Sequence, residues 1–227
     1  MQAQRIRIIS GHFGSGKTEF SVNYALFLRN QYDSVGLADL DVVNPYFRSR
    51  ERFALFAEKG VRLVGSQHGS LAVDTPSVSA EVNTLIENES IQTVLDTGGD
   101  PGGVRLLARF ASKIEPYGYD MFLVVNANRP ETQSCDQVLT MIENIEGVSG
   151  MKISSLINNT HLLKSTTTDD IIRGAELVRQ VSATTGIKIR YHSIPEWLLA
   201  EMPEGFNKNF EGTIFPLRLY MRDEWMS

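Results

Sequence analysis

The sequence predicts an α/β protein built on a mostly parallel sheet with helices on both faces. Three observations predict it. Short apolar or β-branched runs alternate with amphipathic stretches along the chain. A glycine-rich turn, Gly11-His12-Phe13-Gly14-Ser15-Gly16-Lys17-Thr18, lies between the first such run and the first amphipathic stretch. Residues 121–126 are a continuous apolar run closed by Asn126, the pattern of a strand buried on both faces.

Taken in order, residues 5–10 read as a β-branched strand. Residues 18–29 carry apolar side chains at Phe20, Val22, Tyr24, Ala25, Phe27 and Leu28, which suits a largely buried helix. A second strand is expected over 34–39, a helix over 51–59, and a short strand over 61–64 after Gly60. Val82, Leu85 and Ile86 give residues 79–89 helical spacing, and residues 91–96 form a strand ending in an acid. Helices follow over 104–114 and 131–145, the latter with Pro130 in its first turn. Residues 153–157 are a strand. Residues 169–184 are a helix with Thr168 as its N-cap, stopped by Gly186, and 187–191 are the last strand. No repeat or linker interrupts the series, so one domain over 1–227 is expected. Residues 197–227 are read as a tail that packs on the body or meets a partner, because Trp197-Leu198-Leu199 and residues 214–221 are apolar and poor in Lys and Arg.

Composition narrows the function classes. The chain has 227 residues, 42% apolar and 22% charged, which is ordinary for a soluble domain able to bury a core. A net charge of −5 argues against a general nucleic-acid surface. Cys135 is the one cysteine, so neither an internal disulfide nor a multi-cysteine metal site is available within one chain. The sequence shows no signal peptide and no apolar run near the roughly 18 residues a membrane span needs, and a cytoplasmic protein is expected.

The glycine-rich turn spells G-x-x-x-x-G-K-T, a P-loop, and its strand-before, helix-after context is the one its chemistry requires. Gly11, Gly14 and Gly16 let backbone N–H groups, that of Ser15 among them, curl around phosphates at a helix N-terminus. Lys17 reaches the β/γ-phosphates and the Thr18 hydroxyl ligates Mg²⁺. A second Mg²⁺ anchor is expected from an acid after a buried strand. Asp96 in Asp96-Thr97-Gly98-Gly99 fits, with the Gly99 N–H facing the γ-phosphate. Asp39-Leu40-Asp41 places two acids on one side of a strand end. Asp39 lies nearer Mg²⁺, and Asp41 is positioned to orient an attacking water. Arg48 and Arg50 are candidates for charge stabilisation in the transition state, although a solvated helix start explains them as well.

This succession resembles the ParA/MinD class of ATPases, in the wider group of the nitrogenase iron protein, the arsenical-pump ATPase, and the cobyrinate and dethiobiotin synthases. The resemblance covers residues 5 to about 195 and implies a P-loop NTPase fold with ATP and Mg²⁺ as ligands. It matches Asp41 to the water-orienting acid and Asp96 to the second switch. It also matches Asn158 or Asn159 to the adenine-reading Asn, and Pro195 to a late loop beside the base. Members of the dimerising branch carry a signature lysine at the second P-loop position, where this chain has His12. A homodimer is therefore left open, with Arg48 as an alternative cation. ATP is expected over GTP, because neither Asn126-Ala127-Asn128-Arg129 nor Asn158-Asn159-Thr160-His161 supplies the Asp of N-K-x-D. The leading expectation is a slow ATPase acting as a switch for an unidentified protein partner, with Lys17 and Asp41 catalytic. A small-molecule synthetase, with residues 96–103 lining its acceptor site and Arg105 or Arg129 holding a carboxylate, is the alternative. A nucleotide-binding module without turnover is a second.

Overall fold

The computed structural model describes residues 4–41, 56–65 and 76–221. Eight strands alternate with helices. They are β1 (Ile6–Ser10), β2 (Val35–Asp39), β3 (Val61–Val64), β4 (Gln92–Asp96), β5 (Tyr119–Val125), β6 (Ser155–Asn158), β7 (Lys188–Pro195) and β8 (Thr213–Leu217). The described helices are α1 (Lys17–Arg29), α2 (Pro76–Glu87), α3 (Pro101–Ile114), α4 (Cys135–Ser149), α5 (Thr168–Thr185) and the short α6 (Phe206–Asn209). All eight strands run parallel in one sheet, in the order β3, β2, β4, β1, β5, β6, β7, β8.

Strand β1 lies near the middle, between β4 and β5, and every one of its residues is buried. Side-chain alternation divides the core between two faces. Ile6, Ile8, Met121, Leu123 and Val125 join one apolar cluster with Leu107, Phe110, Ile142 and Val178 from the helices. Ile9, Phe122 and Val124 join the other, with Phe20, Tyr24 and Leu28 of α1. Both faces are therefore covered, which is why β5 reads as an unbroken apolar run.

Local chemistry shifts several expected boundaries. Helix α3 begins at Pro101, earlier than 104, because the Asp100 carboxylate accepts from the N–H groups of Gly102 (2.8 Å) and Gly103 (3.3 Å). The helix expected over 131–145 is a 3₁₀ turn, Pro130–Thr132, followed by α4, whose start is fixed by Ser134 and Gln137 in a reciprocal capping box. Thr167, rather than Thr168, caps α5. Its hydroxyl accepts from the Asp170 N–H, and the Asp170 carboxylate accepts from the Thr167 N–H at 2.9 Å. Strand β7 runs on to Pro195 and is not the last. The tail supplies β8 on the sheet edge, where Pro216, lacking an N–H, is tolerated. The helix expected over 51–59 lies for the most part outside the described residues.

Strand β8 is fastened to α1 as well as to β7. The Phe215 ring sits 5.2 Å from Phe20 and 5.3 Å from Tyr191, between centroids. Such pairs add about 0.5–1.5 kcal/mol each beyond area burial.

Candidate active site

The carboxyl ends of β1, β2, β4, β6 and β7 converge on one edge of the sheet, where open parallel sheets hold ligands. From β1 the chain turns through Gly11, where a Cβ would stand 2.5 Å from the Val124 carbonyl oxygen, so no larger residue fits. Gly14 and Gly16 take φ of 75° and 80°, the left-handed region that favours glycine. Gly16 then caps α1 without any side-chain hydrogen bond, leaving the first N–H groups of the helix for a ligand.

Lys17 opens α1 and is buried. Its Nζ lies 2.8 Å from Asp41 Oδ2, with the two side chains 7% and 3% exposed. Asp41 is placed in turn by its own N–H, which donates to Asp39 Oδ1 at 3.0 Å. The Leu40 N–H donates to the Asp96 carbonyl (2.8 Å), and the Thr97 N–H to that of Ile9 (2.9 Å), so the ladder holds both acidic loops beside the P-loop. Asp39 and Asp96 are register partners on adjacent strands. Burial, and next the charge of Asp96, drive the Asp39 carboxyl well above its ordinary range. Burial also pushes Asp96 up to about 6, against the opposing pull of Lys17 and the Thr18 and Ser21 hydroxyls. Those hydroxyls are near enough to favour the charged form. Yet neither Asp96 oxygen has a hydrogen bond of good geometry, and the Ser10, Ser15 and Ser21 hydroxyls are likewise buried without one.

Acidic and hydroxyl groups left in this state suit a cation and an anionic ligand. Among the described residues no three His, Cys, Asp or Glu side chains converge to enclose a metal. Magnesium does not need that, since it usually takes one or two protein oxygens and completes its shell with phosphate and water. Thr18 and the carboxylates of Asp96 and Asp39 fit such a partial site.

Beside the P-loop opens a cavity of about 400 Å³, within the range of small-ligand sites. Gly14, Gly16, Lys17 and Thr18 line it, as do Asn159, Pro195, Trp197 and Leu219. Asn159 donates its amide to the Ser15 carbonyl at 2.8 Å, which leaves its side-chain oxygen to accept from a ligand. Its neighbour Asn158 does not line this cavity. It is fully buried, donates to the Ile171 carbonyl (3.0 Å) and accepts from the Thr160 N–H (3.1 Å). Successive strand residues face opposite ways, so only one of the pair reaches the cavity.

Gly99 packs against the P-loop so closely that a Cβ would meet the Gly11 carbonyl oxygen at 2.4 Å. With His12 it borders a second cavity of about 350 Å³, shared with Val104, Glu131 and Met141. His12 places Nδ1 3.0 Å from the Phe13 carbonyl oxygen and 3.6 Å from Glu131, and lines this second cavity rather than the first. Arg105 is exposed and lines neither cavity. Arg48 and Arg50 lie outside the described residues.

Three features escaped the sequence reading. Arg129 reaches back to the P-loop and donates Nε to the Gly14 carbonyl at 2.8 Å. His161, two residues past Asn159, lines the cavity against Gly16. The tail is strapped to α1: Asn23 pairs both ways with the Arg218 backbone (2.8 and 2.9 Å), and Glu19 accepts from the N–H groups of Tyr220 and Met221. Leu217, Leu219 and Met221 thereby become walls of the P-loop cavity. None of the three contacts had a local signal.

No family model matches the chain. A curated relative, the cytosolic Fe-S cluster assembly factor cfd1 of Emericella nidulans, is 33% identical over 95 residues, covering 42% of this chain and 26% of that protein. Among solved structures, FtsY of Mycoplasma mycoides aligns with TM-score 0.54 at 19% identity, over 83% of this chain and 60% of its own. The signal recognition particle 54 kDa protein of Aeropyrum pernix, in complex with GDP, aligns with TM-score 0.52 at 23% identity, over 81% and 40%. The chain thus spans about a quarter of the curated relative and less than two thirds of each of these structures. Topology and motif together define a P-loop NTPase fold. No helix among the described residues is long and apolar enough to cross a membrane.

Proposed function

We propose that this chain is a single-domain, Mg²⁺-dependent ATPase that hydrolyses ATP slowly and works as a switch for a partner protein. The observation that carries this reading is the group of buried acids, Asp39, Asp41 and Asp96, around Lys17, with both Asp96 oxygens lacking hydrogen bonds. Ligand-free, Lys17 is held by Asp41. Phosphate competes for that ammonium, and its transfer frees the Asp41 carboxylate to accept a proton from water. Thr18, Asp96 and Asp39 would hold the metal, which when bound would neutralise charge on the phosphates. Gly99 packs against the P-loop, where loss of the γ-phosphate would be felt.

Adenine over guanine is supported by the cavity wall. Glu19 is the one carboxylate lining it among the described residues, and its oxygens accept from tail amides rather than standing ready for a guanine edge. Asn159 offers an acceptor to an exocyclic amine. The assembly-factor relative agrees with a partner-directed switch. However, with Cys135 as the single cysteine, one chain cannot supply two thiolates to a cluster.

The deciding experiment is phosphate release with ATP and with GTP, for the wild type and Lys17→Ala, with a melting curve for each. Turnover of ATP in preference to GTP, abolished in a folded Lys17→Ala protein, is expected. Unchanged ATP binding and release in that variant overturns the assignment.

One observation favours the synthetase reading, the cavity bordered by His12 and Gly99 on the other side of the P-loop. Its described lining holds no Arg or Lys, so a carboxylate acceptor finds no cation there. Phosphate release that rises sharply with a single metabolite would move the balance to this second reading.

A further inference from the structure

We propose that Arg129 is a phosphate-contacting residue, an arginine supplied by the chain itself to the polyphosphate of the bound nucleotide; the inference rests on the nucleotide-binding reading above. Arg129 lines the same cavity as Lys17 and Thr18. Its Nε is spent on the Gly14 carbonyl, which lays the guanidinium along the P-loop. The N–H bonds on its two terminal nitrogens are the part of the fork left for oxygen ligands.

Its charge has no carboxylate within ion-pair distance among the described residues, whereas Arg173, Arg179 and Arg218 each have one. Lys17, the other cation at the phosphate end, is already matched by Asp41. A magnesium-bound triphosphate remains anionic, so the cavity needs a further positive group, and Arg129 supplies it in a fixed position.

The backbone beneath it is braced. Arg129 N–H donates to the Asn126 carbonyl (3.1 Å), Thr132 N–H to the Arg129 carbonyl (2.9 Å), and the Thr132 hydroxyl to Asn126 (2.7 Å). Pro130 follows directly and opens the 3₁₀ turn. A guanidinium so held loses little freedom when it meets its ligand.

Calorimetry tests this with Mg²⁺-ATP and with inorganic tripolyphosphate, each at low and high salt. The proteins are the wild type, Arg129→Ala and Arg129→Gln, the last keeping a donor for the Gly14 carbonyl but no charge. Folding of each is checked by melting. Both variants are expected to bind both ligands about 10- to 100-fold more weakly, the range for charge-assisted hydrogen bonds. Their affinity should also vary less with salt than that of the wild type. Wild-type binding with no loss in the variants overturns the role of Arg129 alone. A loss in Arg129→Ala that Arg129→Gln restores, with an unchanged salt dependence, makes the residue a prop for Gly14 and also overturns it. Failure of the wild type to bind either ligand removes the nucleotide reading and this inference together.

Discussion

Replacing Asp96 with Asn should stabilise the ligand-free protein while destroying its response to magnesium nucleotide. Burial raises the Asp96 carboxyl from 3.8 to about 6. A native carboxyl with a raised pKa holds its proton more tightly than the unfolded chain does. Its effect on stability is therefore absent at pH well below 4, grows unfavourable as pH rises towards about 6, and is constant above that. A difference near two units at about 1.36 kcal/mol each gives a ceiling of roughly 3 kcal/mol, with about half already present at pH 5. Asp39 is shifted in the same direction, in part by the charge of Asp96, so its relief adds with the same sign. Urea unfolding without nucleotide or magnesium, at pH 5 and pH 8, measures the effect. The Asp96→Asn midpoint should exceed that of the wild type at pH 8, by a margin that narrows at pH 5. Magnesium and ATP at a hundred times the dissociation constant should then stabilise the wild type by about 2.7 kcal/mol and the variant by far less. An Asp96→Asn protein no more stable than the wild type at pH 8, or equally favoured at both pH values, refutes the argument that this carboxylate is buried at a cost for the sake of a ligand.

Gly99→Ala places a methyl 2.4 Å from the Gly11 carbonyl oxygen and forces the two loops apart. A cost of about 1–3 kcal/mol is expected, with at least a tenfold loss of ATP affinity by calorimetry, while Gly147→Ala, in α4 with open space around it, should leave affinity unchanged and raise stability by up to about 1 kcal/mol. Trp197, 43% exposed and lining the P-loop cavity, should lose fluorescence or shift its emission on ATP binding. Trp197→Phe should remove that component and leave the contribution of Trp225; an undiminished signal change in that variant would show that Trp197 does not report the bound nucleotide.

Motifs whose meaning is local were legible in the sequence. A strand, a glycine-rich loop and a helix follow one another within the first 29 residues, in the order the sequence predicts for a phosphate loop. The acids after β2 and β4 were legible for the same reason, since both lie where a buried strand ends. What failed was competition between neighbours. Thr167 and Thr168 offer the same hydroxyl, and only the pairing with Asp170 separates them. Asn158 and Asn159 offer the same amide, and only the sense of strand β6 decides which lines the cavity. Strand β8 was hidden because five residues containing Pro216 make a weak strand signal, and it forms by pairing with β7 and packing Phe215 on α1. The reach of Arg129 to Gly14 spans 115 positions and leaves no trace in local pattern.

The Glu19 and Asn23 straps have a bearing on biosynthesis. A ribosome delivers the phosphate-loop half early, but residues 217–221, which shut one side of the same hollow, emerge long after it. A chain halted at residue 212 would carry every glycine of the motif around an open gutter. That hollow thus lacks one wall until translation has passed Met221, and polypeptides cut short in β8 should bind Mg²⁺-ATP more weakly than the full chain.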